Sequence, residues 1–253
     1  MNLDVQWAGL WKRIASWVFD SILVADLAVG IGAGLSALFG YDGYSNRLDA
    51  IYTEYETKYG IVFTVTADEY ESMTDDERQN YQSAYDALVQ DEETIYVYNM
   101  VMNLSLVITT LGILLAVVAL EFIVPLLFGN GQTLGKKIFG ICLMRGDCVK
   151  LNTMQLFVRT ILGKFTIETM IPVYIAMMIF WGTMGSVGTL ILAGLFLLQS
   201  ALMLTTRNRA AIHDMLAGTV AVDFSSQRIF ACTDELIEYK KKIAAEQSAR
   251  QAY

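Results

Sequence analysis

Three long apolar runs, Ile14 to Phe39, Asn99 to Phe128 and Thr166 to Thr205, restrict this chain to folds that shelter them from water. The first holds about 26 residues and the second about 30, and a bilayer crossing needs roughly 20. The third is about 40 residues long, carries one charge (Glu168) at its edge and is interrupted by Gly182, Gly185 and Gly188. Its length fits two spans joined by a tight glycine turn, with a re-entrant hairpin as the competing arrangement. A mean hydropathy of +0.43 and a 55% hydrophobic content agree with a multispan membrane protein. Lys12 and Arg13 precede the first run as they would in a signal peptide. A secretory apolar region is shorter and does not normally carry acids such as Asp20 and Asp26, so the run reads as a retained helix.

Charge sets the orientation. Segment 129–165 has six basic residues against one acid, whereas segment 41–98 has three against fourteen. Positive charge concentrates on the cytoplasmic side, so the expected order is a cytoplasmic N-terminus (1–13), a span (14–39), an acidic extracytoplasmic insertion (40–98) and a second span (99–128). A basic cytoplasmic segment (129–165), two further spans (166–205) and a cytoplasmic tail (206–253) follow. The net charge of −8 is misleading, because removing the −11 of residues 41–98 leaves +3. No nucleic-acid partner is implied, and the lipid bilayer is the expected environment.

The fold class expected is an all-α polytopic membrane protein with four transmembrane helices, a helical insertion and a small cytoplasmic β element. In the insertion, Thr66 with Glu69 and Thr74 with Glu77 have capping-box spacing. Tyr81, Tyr85 and Leu88 recur on one helical face, so helices are expected near 45–58 and 74–91. The acids between Asp68 and Glu77 lack the glycine turn and alternating ligands of a calcium loop and read as a solvated face.

On the cytoplasmic side, Ile138 to Leu151 reads as two short strands about a turn at Arg145, Gly146 and Asp147, and Gly218 to Asp223 as a third. Asn152 to Lys164 reads as an interfacial amphipathic helix, and Asp234 to Ala249 as a polar helix. A kink is expected near Pro125.

Catalytic signatures fail. Gly129 to Lys137 has the wrong glycine spacing for a phosphate loop, and no Ser or Thr follows its lysine. His213 is the only histidine, and Cys142, Cys148 and Cys232 form no C-x-x-C pair, so no metal, cofactor or enzyme activity is expected. Those cysteines should remain reduced thiols.

The informative residues are charges inside the apolar runs. Ionisable groups there are costly and mark either function or interhelical glue. Arg13 and Asp20 lie seven residues apart on one helical face, about 10.5 Å along the axis, with Ser16 near the same stripe. Asp26 is rotated away by roughly 120°. Direct pairing of Arg13 with Asp20 is awkward because both lean toward the helix N-terminus, so each needs a partner elsewhere or water. For Arg13 the best partner lies in Arg207 to Thr219; Asp20 has none assigned. Asp26, Glu121 and His213 are secondary polar candidates.

An Arg opening the first helix, an Asp within it, Gly-Gln-Thr-Leu-Gly-Lys-Lys at 131–137, and His213-Asp214 leading into Leu-Ala-Gly-Thr at 216–219 resemble the RDD family of membrane proteins. That family is named for one arginine and two aspartates, which here would be Arg13, Asp20 and Asp214. The resemblance covers residues 7–39 and about 105–223 and implies a multispan bacterial membrane protein. Transport has been suggested at family level, and sodium/proton exchange for some members. The acidic insertion 41–98 is longer than the connection such domains often have.

Two functions follow as expectations. In the first, Asp20 binds and releases a cation or proton while Arg13 and Asp214 form a cytoplasmic latch; four spans make a thin transporter, so a homo-oligomer would be needed. In the second, the protein is a membrane scaffold or sensor whose acidic domain binds a partner, and Gly30 with Gly34 offers a small-residue packing face. A dry Asp20 bonded to polar partners would favour the second.

Overall fold

The computed structural model describes residues 5–206 and 210–251, so Arg207 and Arg209 lie outside the described residues. Among the described residues four helices are long and apolar enough to cross a membrane: α1 (Leu10–Phe39), α5 (Glu92–Phe128), α7 (Thr153–Phe180) and α8 (Gly185–Leu202, extending to Thr205). Between α1 and α5 stand α2 (Tyr41–Tyr59), α3 (Ala67–Ser72) and α4 (Asp75–Gln90). Between α5 and α7 stand α6 (Leu134–Ile138) and β1 (Ile141–Arg145). After α8 come α9 (Ile212–Ala217), β2 (Thr219–Asp223) and α10 (Thr233–Gln251). The chain divides into two compact units, residues 28–112 and the remainder.

Unit 28–112 is built around Ile51, Leu88 and Val97, with Leu48, Tyr52, Tyr55 and Phe63 packed against them. Edge-on contacts run from Tyr52 to Phe63, from Phe63 to Tyr81 and from Tyr81 to Tyr70. Both capping boxes form, Thr66 with Glu69 and Thr74 with Glu77. Each satisfies backbone donors that the first helical turn would otherwise leave open. The buried stripe of α4 runs through Ala84 and Leu88, while Tyr85 is 48% exposed. This corrects the expected Tyr81/Tyr85/Leu88 face, because the smaller Ala84 occupies the position turned inward. The close helix contact is also not at Gly30 and Gly34, where an added Cβ would meet nothing within 4 Å. It is at Gly112, where a Cβ would lie 3.1 Å from the Ala28 carbonyl oxygen.

In the other unit, β1 pairs antiparallel with β2, Ile141 opposite Asp223 and Arg145 opposite Thr219. Residues before α1 extend the sheet, since Ala8 N–H donates to the Ala221 carbonyl and Asp223 N–H to that of Gln6. Alternation at period two sends Cys142, Met144, Val220 and Val222 to one face, against Cys148, Val149, Phe230 and Leu236. Ile141, Leu143 and Ala221 go to the other, against Ala8. Both faces are covered, which is why the strands read as continuous apolar runs. The second arm of the expected 138–151 hairpin is not a strand. Only an isolated bridge joins Met144 to Lys150, and Cys148 adopts a left-handed φ of 69°.

Asn152 to Lys164, expected as an interfacial amphipathic helix, does not form a separate helix. It is the opening of α7, and Arg159, Thr160, Gly163 and Phe165 are buried there. Residues Val158–Met170 wind as a π-helix, as does Val118–Ile123 in α5 just before Pro125. The wider winding shifts which side chains share a face, so the 3.6-residue period misassigns Arg159 and Lys164 to solvent. Val117, Phe165 and Met170 pack beside the two π segments. Helices α7 and α8 join through Gly182 and Gly185, whose φ values are 73° and 49°.

Candidate functional site: a buried ion-pair network

Ser16 and Asp20 are the two buried residues of α1. Asp20 is 4% exposed, and α6 is built around it. Thr133 caps α6 by accepting from Lys136 N–H, and its hydroxyl donates to Asp20 Oδ2 at 2.5 Å. Gly135 N–H donates to Oδ1 at 2.8 Å, and Lys136 Nζ lies 3.5 Å from Oδ2 and 3.1 Å from Thr133 Oγ1. Gly135 must be glycine for this seat, because a Cβ would lie 2.6 Å from the Ser16 carbonyl oxygen and 2.9 Å from Asp20 Oδ1. The segment is fixed further by Gln132, whose Nε2 donates to the Ile141 carbonyl at 2.7 Å. Asp20 therefore has partners, which corrects the expectation that left it unassigned. Burial pushes the Lys136 ammonium down to about 8, with the Asp20 carboxylate acting in the opposite sense.

A second group surrounds Asp214, which is 1% exposed. Arg159 Nη1 pairs with Asp214 Oδ1 and donates to Thr219 Oγ1 at 2.7 Å. Thr219 Oγ1 in turn donates to Asp214 Oδ1 at 2.8 Å. Arg13 Nη2 lies 3.5 Å from Asp214 Oδ2. His213 Nε2 faces Arg159 Nη2 at 2.9 Å, and Nδ1 faces Glu168 Oε2 at 2.6 Å. Because the guanidinium can only donate, Nε2 must accept, and the ring is neutral with its proton on Nδ1. Burial and the adjacent Arg159 guanidinium push His213 down to about 4, against the opposing pull of Glu168. Gly163 lets α9 rest against α7, since a Cβ there would lie 2.6 Å from His213 Cβ.

Glu121, 5% exposed, pairs with Lys164, and its carbonyl accepts from Thr160 Oγ1 at 3.1 Å. The two π segments thus meet through these side chains. A polar cavity of about 10 Å³, room for a single water, is lined by Glu121, Thr133, Lys136, Arg159, Thr160 and Lys164.

The acids Asp20, Glu121, Glu168 and Asp214 each face a basic group, and the cations Arg13, Lys136, Arg159 and Lys164 balance them with His213 neutral. The arrangement joins α1, α5, α6, α7 and α9. Among the described residues no three His, Cys, Asp or Glu side chains cluster as metal ligands. The sequence profile of the RDD family matches residues 7–218. The chain belongs to the RDD family. No curated protein and no solved structure matches it.

Of the three residues that the resemblance picks out, Arg13 and Asp214 share one group and Asp20 lies in the other. Ser16 Oγ is buried without a hydrogen-bond partner among the described residues. Asp26 is exposed and has no partner among the described residues. Sequence reading missed Thr133, Gly135, Lys136, Arg159, Lys164 and Glu168. The available signals were the threonine, glycine and lysine of the 131–137 segment and three charges flanking an apolar run.

Proposed function

We propose that this protein is a membrane scaffold or sensor of the bacterial plasma membrane, with both termini cytoplasmic and its acidic insertion presented on the opposite side to a partner. The observation that carries this reading is the closed seat of Asp20, whose carboxylate is occupied by Thr133, Gly135 and Lys136. A charge buried in a membrane protein is tolerated when its partners are supplied from within, and here acids and bases balance. The RDD charges then act as a lock, with Arg13 and Asp214 tying the start of α1 to the segment after α8. The helical, strongly acidic unit with its own aromatic core is the surface left for recognition. The contrast between a net −11 over 41–98 and +5 over 129–165 supports this side for it. Deleting 41–98 tests the reading: partner capture from native membranes should be lost while the rest of the chain still inserts and melts cooperatively. Unchanged capture would contradict it.

Cation/proton exchange is the second reading, favoured by the polar cavity beside the Asp20 seat. In that case Asp20 is the ion-binding carboxylate, and the Arg13–Asp214 contact opens and closes with occupancy. Sodium- and pH-dependent flux in proteoliposomes, compared with Asp20→Asn, separates the two. Neither reading makes the protein an enzyme.

A further inference from the structure

Asp26 stands at the centre of the apolar run 14–39, with roughly 20 Å of helix on either side. Its side chain is exposed, and no other described residue of the chain pairs with it. On the same flank Phe19 is 37% and Ile22 55% exposed. At the depth this position implies, lipid offers neither a donor nor an acceptor, and a lone carboxyl group there is costly. The basic groups Arg159 and Lys164 of α7 cannot answer it, because Arg159 is taken by Asp214 and Lys164 by Glu121.

We propose that α1 docks against α1 of a second copy of this chain, with the two Asp26 carboxyl groups hydrogen-bonded to each other across a twofold axis. A carboxylic acid group can both donate and accept, so it is self-complementary. A parallel twofold pair brings the same residue of each copy to the axis at the same depth without requiring any other polar group. Gly30 follows Asp26 by four residues along the same helix, and a Cβ there would meet nothing within 4 Å, so the backbones can approach closely. This interface is separate from the Asp20 seat, which lies on another face of α1.

The test uses the full chain, purified and reconstituted in phosphatidylethanolamine/phosphatidylglycerol vesicles, with Cys232→Ser to remove the exposed thiol and Ile22→Cys as a cross-linking reporter. Oxidation should give a covalent dimer with Asp26 present and with Asp26→Asn, whose amide also donates and accepts. With Asp26→Leu the yield should fall about tenfold, the scale of one interhelical hydrogen bond in a membrane. Leu190→Cys, exposed on α8, controls for random collision and should give little dimer. Equal cross-linking in the Asp26→Leu protein, or equal cross-linking from Leu190→Cys, would each overturn the proposal.

Discussion

Thr133 Oγ1 and Asp20 Oδ2 lie 2.5 Å apart, although 113 residues separate them in the chain. The threonine caps a five-residue helix and spends its hydroxyl proton on a carboxylate of the first span. A short loop turn is thereby bound to a membrane helix through a group that neither sheds to water.

That bond should be measurable as coupling. Thr133→Val and Asp20→Asn should each lower the thermal midpoint in detergent, and the double variant should lose less than the sum. A coupling of about 1–3 kcal/mol is expected for a hydrogen bond to a buried charge. Strict additivity would show that the two groups do not interact.

Gly135→Ala should destabilise by about 1–3 kcal/mol, since the new methyl would sit against the Ser16 carbonyl and the Asp20 carboxylate. Gly140→Ala, where nothing lies within 4 Å but φ is +66°, is the comparison that carries only backbone strain. Melting both variants separates steric loss at the seat from the general cost of replacing glycine.

His213 gives a pH dependence of definite sign. Its pKa is about 4 in the fold against an ordinary 6.5, so the unfolded chain binds the extra proton first. The stability contributed by the neutral ring is full above about 6.5 and is lost as pH falls toward 4. Between those values the wild-type midpoint should drop more steeply than that of His213→Gln. Parallel curves would place the ring outside the network.

The thiols differ in reach. Cys142 and Cys148 are buried, and burial pushes the Cys142 thiol up to about 11, whereas Cys232 is exposed. Maleimide at neutral pH should therefore modify one site per native chain, and mass spectrometry of the peptides should find it at Cys232.

Much of the architecture could be read from residue patterns because hydrocarbon imposes simple rules. Run length marks spans, and Thr-x-x-Glu marks helix starts at Thr66 and Thr74. Arg13 could be matched with Asp214 because both flank apolar runs on the same expected face. The receptor for Asp20 was harder to see, because it consists of a hydroxyl, a backbone N–H and one lysine within 131–137, a segment that carries the family resemblance without showing which carboxylate it holds. Arg159 and Lys164 were hidden by a different cause. The π winding of Val158–Met170 departs from the helical period used to assign faces, so the buried Arg159 and the half-buried Lys164 look solvated. The Gly30/Gly34 spacing pointed to a contact that, within its unit, Gly112 makes instead.

The most direct test of the account is proton and sodium flux through proteoliposomes containing the wild-type protein or Asp20→Asn, with the thermal midpoint of each recorded on the same preparation. A locked carboxylate predicts flux indistinguishable from protein-free vesicles in both, together with a lowered midpoint for Asp20→Asn. Sodium-dependent proton flux in the wild type that disappears in an equally stable Asp20→Asn would contradict the lock and establish Asp20 as the ion site.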